Sequence, residues 1–272
     1  MFRNFTCLVA ATLIAAMPLV AASPFKDPKL EAAIRAELKV DAKADLNDET
    51  LKNVFFLDAN KKEIKDLTGL EKCTNLAQLK LDDNAITDIT PLKGLVNIQA
   101  LYLNGNHISD LSPLAGLTKL QHIEMERNKI TSITALKNLT AMASLYIAQN
   151  QITDLAPLAG LTKLSSLNLA KNKVKDLKPL EKVNRLMTLN LQDNEISDIT
   201  PLKTQENLSM LMLERNKITD LAPLVAAAEA DAKGPMRFAP FLRLWLAGNP
   251  LSETAKTKQL PALKAVGVRL QD

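Results

Sequence analysis

Seven aspartates recur in one frame along this chain, at Asp66, Asp88, Asp110, Asp154, Asp176, Asp198 and Asp220, with Ser132 in the single gap. A line of carboxylates suits a hard cation such as calcium, which takes oxygen ligands. Each aspartate, however, opens a segment such as Asp88-Ile89-Thr90-Pro91-Leu92. There the Pro pre-sets the start of a helical turn, and the Asp side chain can accept a nearby backbone N–H. Ser132 can cap a turn with its hydroxyl but makes a poor cation ligand. The aspartates are therefore expected to shape turns, and no metal is expected.

Other reactive residues are sparse. His122 lies two residues before Glu124, a pairing that general acid–base chemistry can use. No H-E-x-x-H, G-x-S-x-G or phosphate-binding glycine loop accompanies it, and no Cys/His set has metal-ligand spacing. A solvated pair is the expectation. Cys73 falls at an inward apolar position and is read as packing. The chain is expected to be no enzyme and to use no cofactor.

The residue type repeated most regularly is Asn, at Asn84, Asn106, Asn128, Asn150, Asn172, Asn194 and Asn216, each 22 residues apart, and then at Asn249. Around Asn84 the apolar positions are Leu76, Leu79, Leu81, Ile86, Ile89, Leu92 and Leu95, and the frame recurs through Asn216. Leu79 and Leu81 flank Lys80, as in a short strand with one buried face. The later spacing of three suits tight helical turns. One such coil cannot bury its own apolar face, so coils must stack. The predicted fold is an α/β solenoid, an arc with a parallel β-sheet on its concave face. Some nine strands at about 4.8 Å would span roughly 40 Å. The eight asparagines are read as a structural ladder whose amides pair with backbone groups of adjacent coils.

Composition agrees. Of 272 residues, 47% are hydrophobic and only 4% aromatic, which excludes a disordered chain and points to a core of similar aliphatic pieces. The 34 basic and 30 acidic residues nearly cancel, to +4, so nucleic acid is not an expected partner. Residues 1–22 read as a secretory signal: Arg3, an apolar run from Cys7 to Val20, and a small-residue cleavage site at Val20-Ala21-Ala22. Export to the periplasm or medium is expected, with no membrane insertion after cleavage. Residues 23–53 are read as a helical N-terminal cap and 54–249 as repeats, with an irregular first coil at 54–75 and regular coils at 76–224. A helical insertion fills 225–240, where the asparagine spacing lengthens to 33. Residues 250–272 are read as a helical C-terminal cap.

The period, the Ile-x-Asp-[Leu/Ile]-x-Pro-Leu turn, the export signal and the helical cap resemble the internalin-type bacterial leucine-rich repeat proteins. The resemblance implies protein recognition by the inner sheet. The short segment after Asn249 sets the chain apart from members with an immunoglobulin-like domain after the repeats.

In a solenoid, function rests on side chains that stacking does not require. The residue between the two strand leucines faces out from the inner sheet: Asp58, Lys80, Tyr102, Glu124, Tyr146, Asn168, Asn190, Met212 and Trp245. Both tyrosines of the chain and its single tryptophan fall in this column. Strands favour aromatics, yet Tyr and Trp also anchor binding surfaces. The predicted partner-binding residues are Tyr102, Glu124, Tyr146, Met210, Met212 and Trp245. The apolar patch of Met210, Met212 and Trp245 is placed first, with the alternative that the 225–240 insertion covers it. A protein partner is expected. Aromatic rings also suit carbohydrate, so a carbohydrate-binding or structural envelope module is an alternative, and an inhibitor of a secreted enzyme is another.

Overall fold

The computed structural model describes residues 23–271; the signal expected at 1–22 lies outside them. Ten three-residue strands form one parallel sheet in sequence order: β1 (Phe56–Asp58), β2 (Gln78–Lys80), β3 (Ala100–Tyr102), β4 (His122–Glu124), β5 (Ser144–Tyr146), β6 (Ser166–Asn168), β7 (Thr188–Asn190), β8 (Met210–Met212), β9 (Arg243–Trp245) and β10 (Arg269–Gln271). In β2 to β8 the central residue is buried, while the first and third share the open face. Register is in phase, Lys80 beside Tyr102 beside Glu124 beside Tyr146, so equivalent side chains stack in columns. The chain is a leucine-rich repeat solenoid.

Each coil turns back twice. The first turn uses a left-handed residue just before each ladder asparagine; Asp83, Arg127, Gln149, Lys171, Asp193 and Arg215 have φ of 51–56° and Gly105 has 64°. The asparagine then closes the coil. Asn150 donates from Nδ2 to the carbonyls of Met125 (2.9 Å) and Ile147 (3.1 Å) and accepts from the N–H of Ile130 (3.0 Å). The same three bonds recur at Asn106, Asn172, Asn194 and Asn216. Asn249 makes them across the longer last coil, to Leu213, Leu246 and Ile218. Buried backbone groups that a three-residue strand cannot satisfy are thus paired. The second turn is a single 3-10 turn, such as Thr90–Leu92 or Ser112–Leu114. At its entry Asp88 accepts from Thr90 N and Asp110 from Ser112 N, both at 2.8 Å, and Asp154, Asp176 and Asp198 do likewise.

The ends are closed differently. Helix α1 (Pro28–Leu38) buries Leu30 and Ile34 over the first coil, followed by the short α2 (Asp48–Leu51). Asp27 caps α1 by accepting from Lys29 N (2.9 Å) and reaches the first coil by accepting from Lys65 N (2.8 Å). Helix α3 (Ala222–Ala232) begins earlier than residue 225, because it grows out of the coil's own Pro-Leu turn rather than following it. The chain then bends around Asp231, whose carboxylate accepts from the N–H groups of Arg237, Phe238 and Ala239. This detour shifts the frame of the last coil. Phe241, at the position where other coils bury a Leu, Ile or Met, is 58% exposed, and Leu242 is buried instead. After a π-helical turn (Ala255–Gln259) and α4 (Leu260–Ala265), the chain adds β10 beside β9, one strand more than the repeats supply.

Candidate functional site

The repeats leave one broad surface free of structural duty: the open face of the sheet. On β3 to β5 three rings run side by side. Tyr102 and His122 have ring centroids 4.9 Å apart, and His122 and Tyr146 are 5.6 Å apart. Tyr102 and Tyr146 occupy one column and His122 the neighbouring one, so the histidine bridges them. Its Nε2 lies 2.9 Å from Glu124 Oε1, which fixes the imidazole plane. The Glu124 side chain is held from the other side by Asn104 Nδ2 donating to Oε2 (2.8 Å).

Carboxylates border this ledge. Glu126 accepts from Asn168 Nδ2 (2.7 Å), and Asp82 accepts from Asn104 N (2.7 Å). None of Asp82, Glu124 and Glu126 pairs with a Lys or Arg among the described residues. Burial pushes the Asp82 and Glu126 carboxyls above their ordinary range, and the charge of Glu124 adds to the effect in both. A patch whose anions repel one another gains from an incoming cation. Lys80, on the neighbouring strand, sits 5.5 Å over the Tyr102 ring and 3.9 Å from Asp58.

The remaining predicted residues lie elsewhere on the same face. Met212 and Trp245 are register partners on β8 and β9, and Met210 faces Arg243. Both methionines and Trp245 are half-buried. This end is less apolar than the sequence suggested, because the Arg243 guanidinium lies 6.0 Å from the Trp245 ring. Asn168 and Asn190 on β6 and β7 separate it from the tyrosine ledge. The six predicted residues therefore form two groups.

Two features escaped the sequence reading. One is the role of His122 as the ring between two tyrosines, a signal available in the column alignment. The other is exposed apolar side chains outside the predicted columns: Phe55, Met187 and Phe241 just before their strands and Phe56 at the start of β1 are each 48–58% exposed. Nucleophilic chemistry has little to work with, since burial pushes the Cys73 thiol up to about 12. Among the described residues no group of His, Cys, Asp and Glu is placed to hold a metal ion.

A family model for leucine-rich repeats in two copies matches residues 96–138 and 141–182. The crystal structure of internalin C2 from Listeria monocytogenes is 37% identical, with a TM-score of 0.71, over 77% of this chain and 93% of that one. The chain belongs to the internalin-type leucine-rich repeat proteins. Two further structures share the fold at lower identity. A Leptospira interrogans leucine-rich repeat protein is 20% identical with a TM-score of 0.70, covering 83% of this chain and 62% of that one. The functional domain of the internalin InlJ from Listeria monocytogenes is 24% identical with a TM-score of 0.62, covering 84% and 52%. A comparison with curated proteins returned no match. The internalin-type solenoid is a protein-interaction scaffold. No helix among the described residues is long and apolar enough to cross a membrane.

Proposed function

We propose that this internalin-type protein is exported and, without catalysis, captures a protein partner on its concave sheet. The contact residues are Tyr102, Glu124 and Tyr146 in one group and Met210, Met212 and Trp245 in the other. The observation that carries the reading is the ledge of Tyr102, His122 and Tyr146 beside three carboxylates, Asp82, Glu124 and Glu126, that form no direct ion pair with Lys or Arg among the described residues. Stacking of coils needs neither large rings nor clustered carboxylates on the open face, and Tyr anchors are common at interface centres. The acidic border suits a partner that is basic where it meets the ledge.

Affinity capture with residues 23–272 tests it. The expected result is a protein retained by the wild type and lost with Tyr146→Ala or Trp245→Ala, at unchanged melting temperature. Retention of a glycan but of no protein would favour the carbohydrate-binding alternative, which the same rings suit. Melting of both variants with capture intact would place the rings in the core and end the proposal. For export, the N-terminal sequence of the extracellular or periplasmic protein should begin at Ser23.

A further inference from the structure

A second surface lies off the concave face, along the rim where each coil enters its strand. The residues immediately before β2 to β8 are Ala77, Gln99, Gln121, Ala143, Ser165, Met187 and Ser209. Six of these seven are small or polar, as an exposed rim requires, and the exception, Met187, is 55% exposed. Facing it is Phe241, which the detour after α3 turns outward to 58% exposure. Between them runs a groove of about 590 Å³ over the buried Leu208.

The charge of the groove is one-sided. Lys163, Arg185 and Arg237 line it and no carboxylate does. In a chain whose charges nearly cancel, two unpaired cations beside a third that is paired only outside the groove are a local excess. Lys163 and Arg185 form no ion pair among the described residues, and Arg237 pairs with Glu206 in the adjoining hollow. The main chain at Met187 is already paired. The Met187 carbonyl already accepts from Ser209 N (2.9 Å), Met210 N (3.0 Å) and the Ser209 hydroxyl (3.1 Å). What the groove offers a ligand at this point is side chains.

We propose that this groove docks an acidic peptide segment carrying one bulky apolar side chain. The apolar group lies between Met187 and Phe241, removing both from water. Carboxylates on either side of it meet Lys163 and Arg185, which fix register and speed the encounter. The site is separate from the concave ledge and opposite to it in sign, so two partners, or two parts of one partner, are sorted by charge.

The test uses residues 23–272 and a displayed library of random heptapeptides, followed by fluorescence anisotropy with the selected peptides. Selected sequences are expected to place Asp or Glu around one aromatic or branched apolar residue. Changing their acids to amides should weaken binding about tenfold or more, as should Arg185→Glu or Lys163→Glu in the protein, and binding should fall with added salt. Phe241→Ser should weaken binding without steepening the salt dependence. Tyr146→Ala should leave this binding unchanged, which separates it from the concave site. Selection of basic peptides, or binding indifferent to Arg185→Glu, overturns the proposal. So does sedimentation of the protein with phosphatidylglycerol vesicles, lost in Arg185→Glu, if no peptide is selected, because the groove would then serve an anionic membrane surface.

Discussion

Six of the eight ladder asparagines are buried, Asn128 and Asn249 being half-buried, and each ties the backbone of adjacent coils together through one side chain. Asn150→Ala leaves the Ile130 N–H unpaired and takes from the Met125 and Ile147 carbonyls one of their two asparagine donors, the others being Asn128 and Asn172, so it should lower unfolding stability by about 1–3 kcal/mol, read by urea denaturation. The left-handed residues beside the ladder store a smaller strain. Gln149 holds φ at 56°, and a non-glycine residue there costs about 1–2 kcal/mol, of which glycine's extra chain entropy returns roughly half. Gln149→Gly should therefore raise stability by about 0.5–1 kcal/mol. Gly105 already has this backbone and serves a second purpose. A Cβ there would lie 2.3 Å from Asp83 Oδ1, which reaches across the coil to Arg127 (2.9 Å). Gly105→Ala should break that pair and lose about 1–2 kcal/mol, mostly to backbone strain because the pair is exposed.

Elements differ in how their ends are fastened, and acid should find the weak points. At Asp27 and Asp231 burial raises the carboxyl, but hydrogen bonds from the backbone outweigh it: Lys65, Lys29, Asp66 and Leu30 for Asp27, and Ala239, Arg237 and Phe238 for Asp231. Both carboxyls therefore end below their ordinary range. A carboxyl depressed in the folded state stabilises above its unfolded value, near pH 4, and loses that contribution as pH falls through the folded value. Both end structures should lose stability on acidification below about pH 4, alongside the turns held by Asp66, Asp110 and Asp198, whose carboxyls are lowered as well. Asp27→Asn and Asp231→Asn, which keep a side-chain acceptor but do not titrate, should flatten the acid side of the melting curve. Asp82 and Glu126 run the other way, since a raised carboxyl gives up stability as pH climbs through it. In the coils themselves, the apolar frame was readable because every coil solves the same packing problem. Exceptions arose where the problem changed. Gln205 occupies the position of Leu95, Leu117, Leu139, Leu161 and Val183; it is 1% exposed, and its Nε2 donates to Leu180 O at 2.9 Å. Its Oε1 has no donor among the described residues. Gln205→Leu should stabilise by about 1–2 kcal/mol in calorimetry.

At the scale of the whole molecule, strict periodicity turns sequence into surface. In-phase register means that a column in the repeat alignment is a column in space, so the residues facing out of the concave sheet were legible before any coordinates. What the columns do not contain is how side chains lean across them. His122 joining two tyrosines, and Asn104 and Asn168 holding glutamates of other coils, depend on rotamers and on pairs 20 and 42 residues apart. The rim groove was illegible for another reason. It depends on Phe241, whose orientation follows from the detour after α3 and not from the repeat. The ledge carries its own probe, because the chain's only two tyrosines are Tyr102 and Tyr146. Fluorine NMR of the fluorotyrosine-labelled protein gives two resonances, both from the concave face. Saturation with the captured partner should shift or broaden both; two unmoved resonances under saturating partner would contradict recognition by this surface.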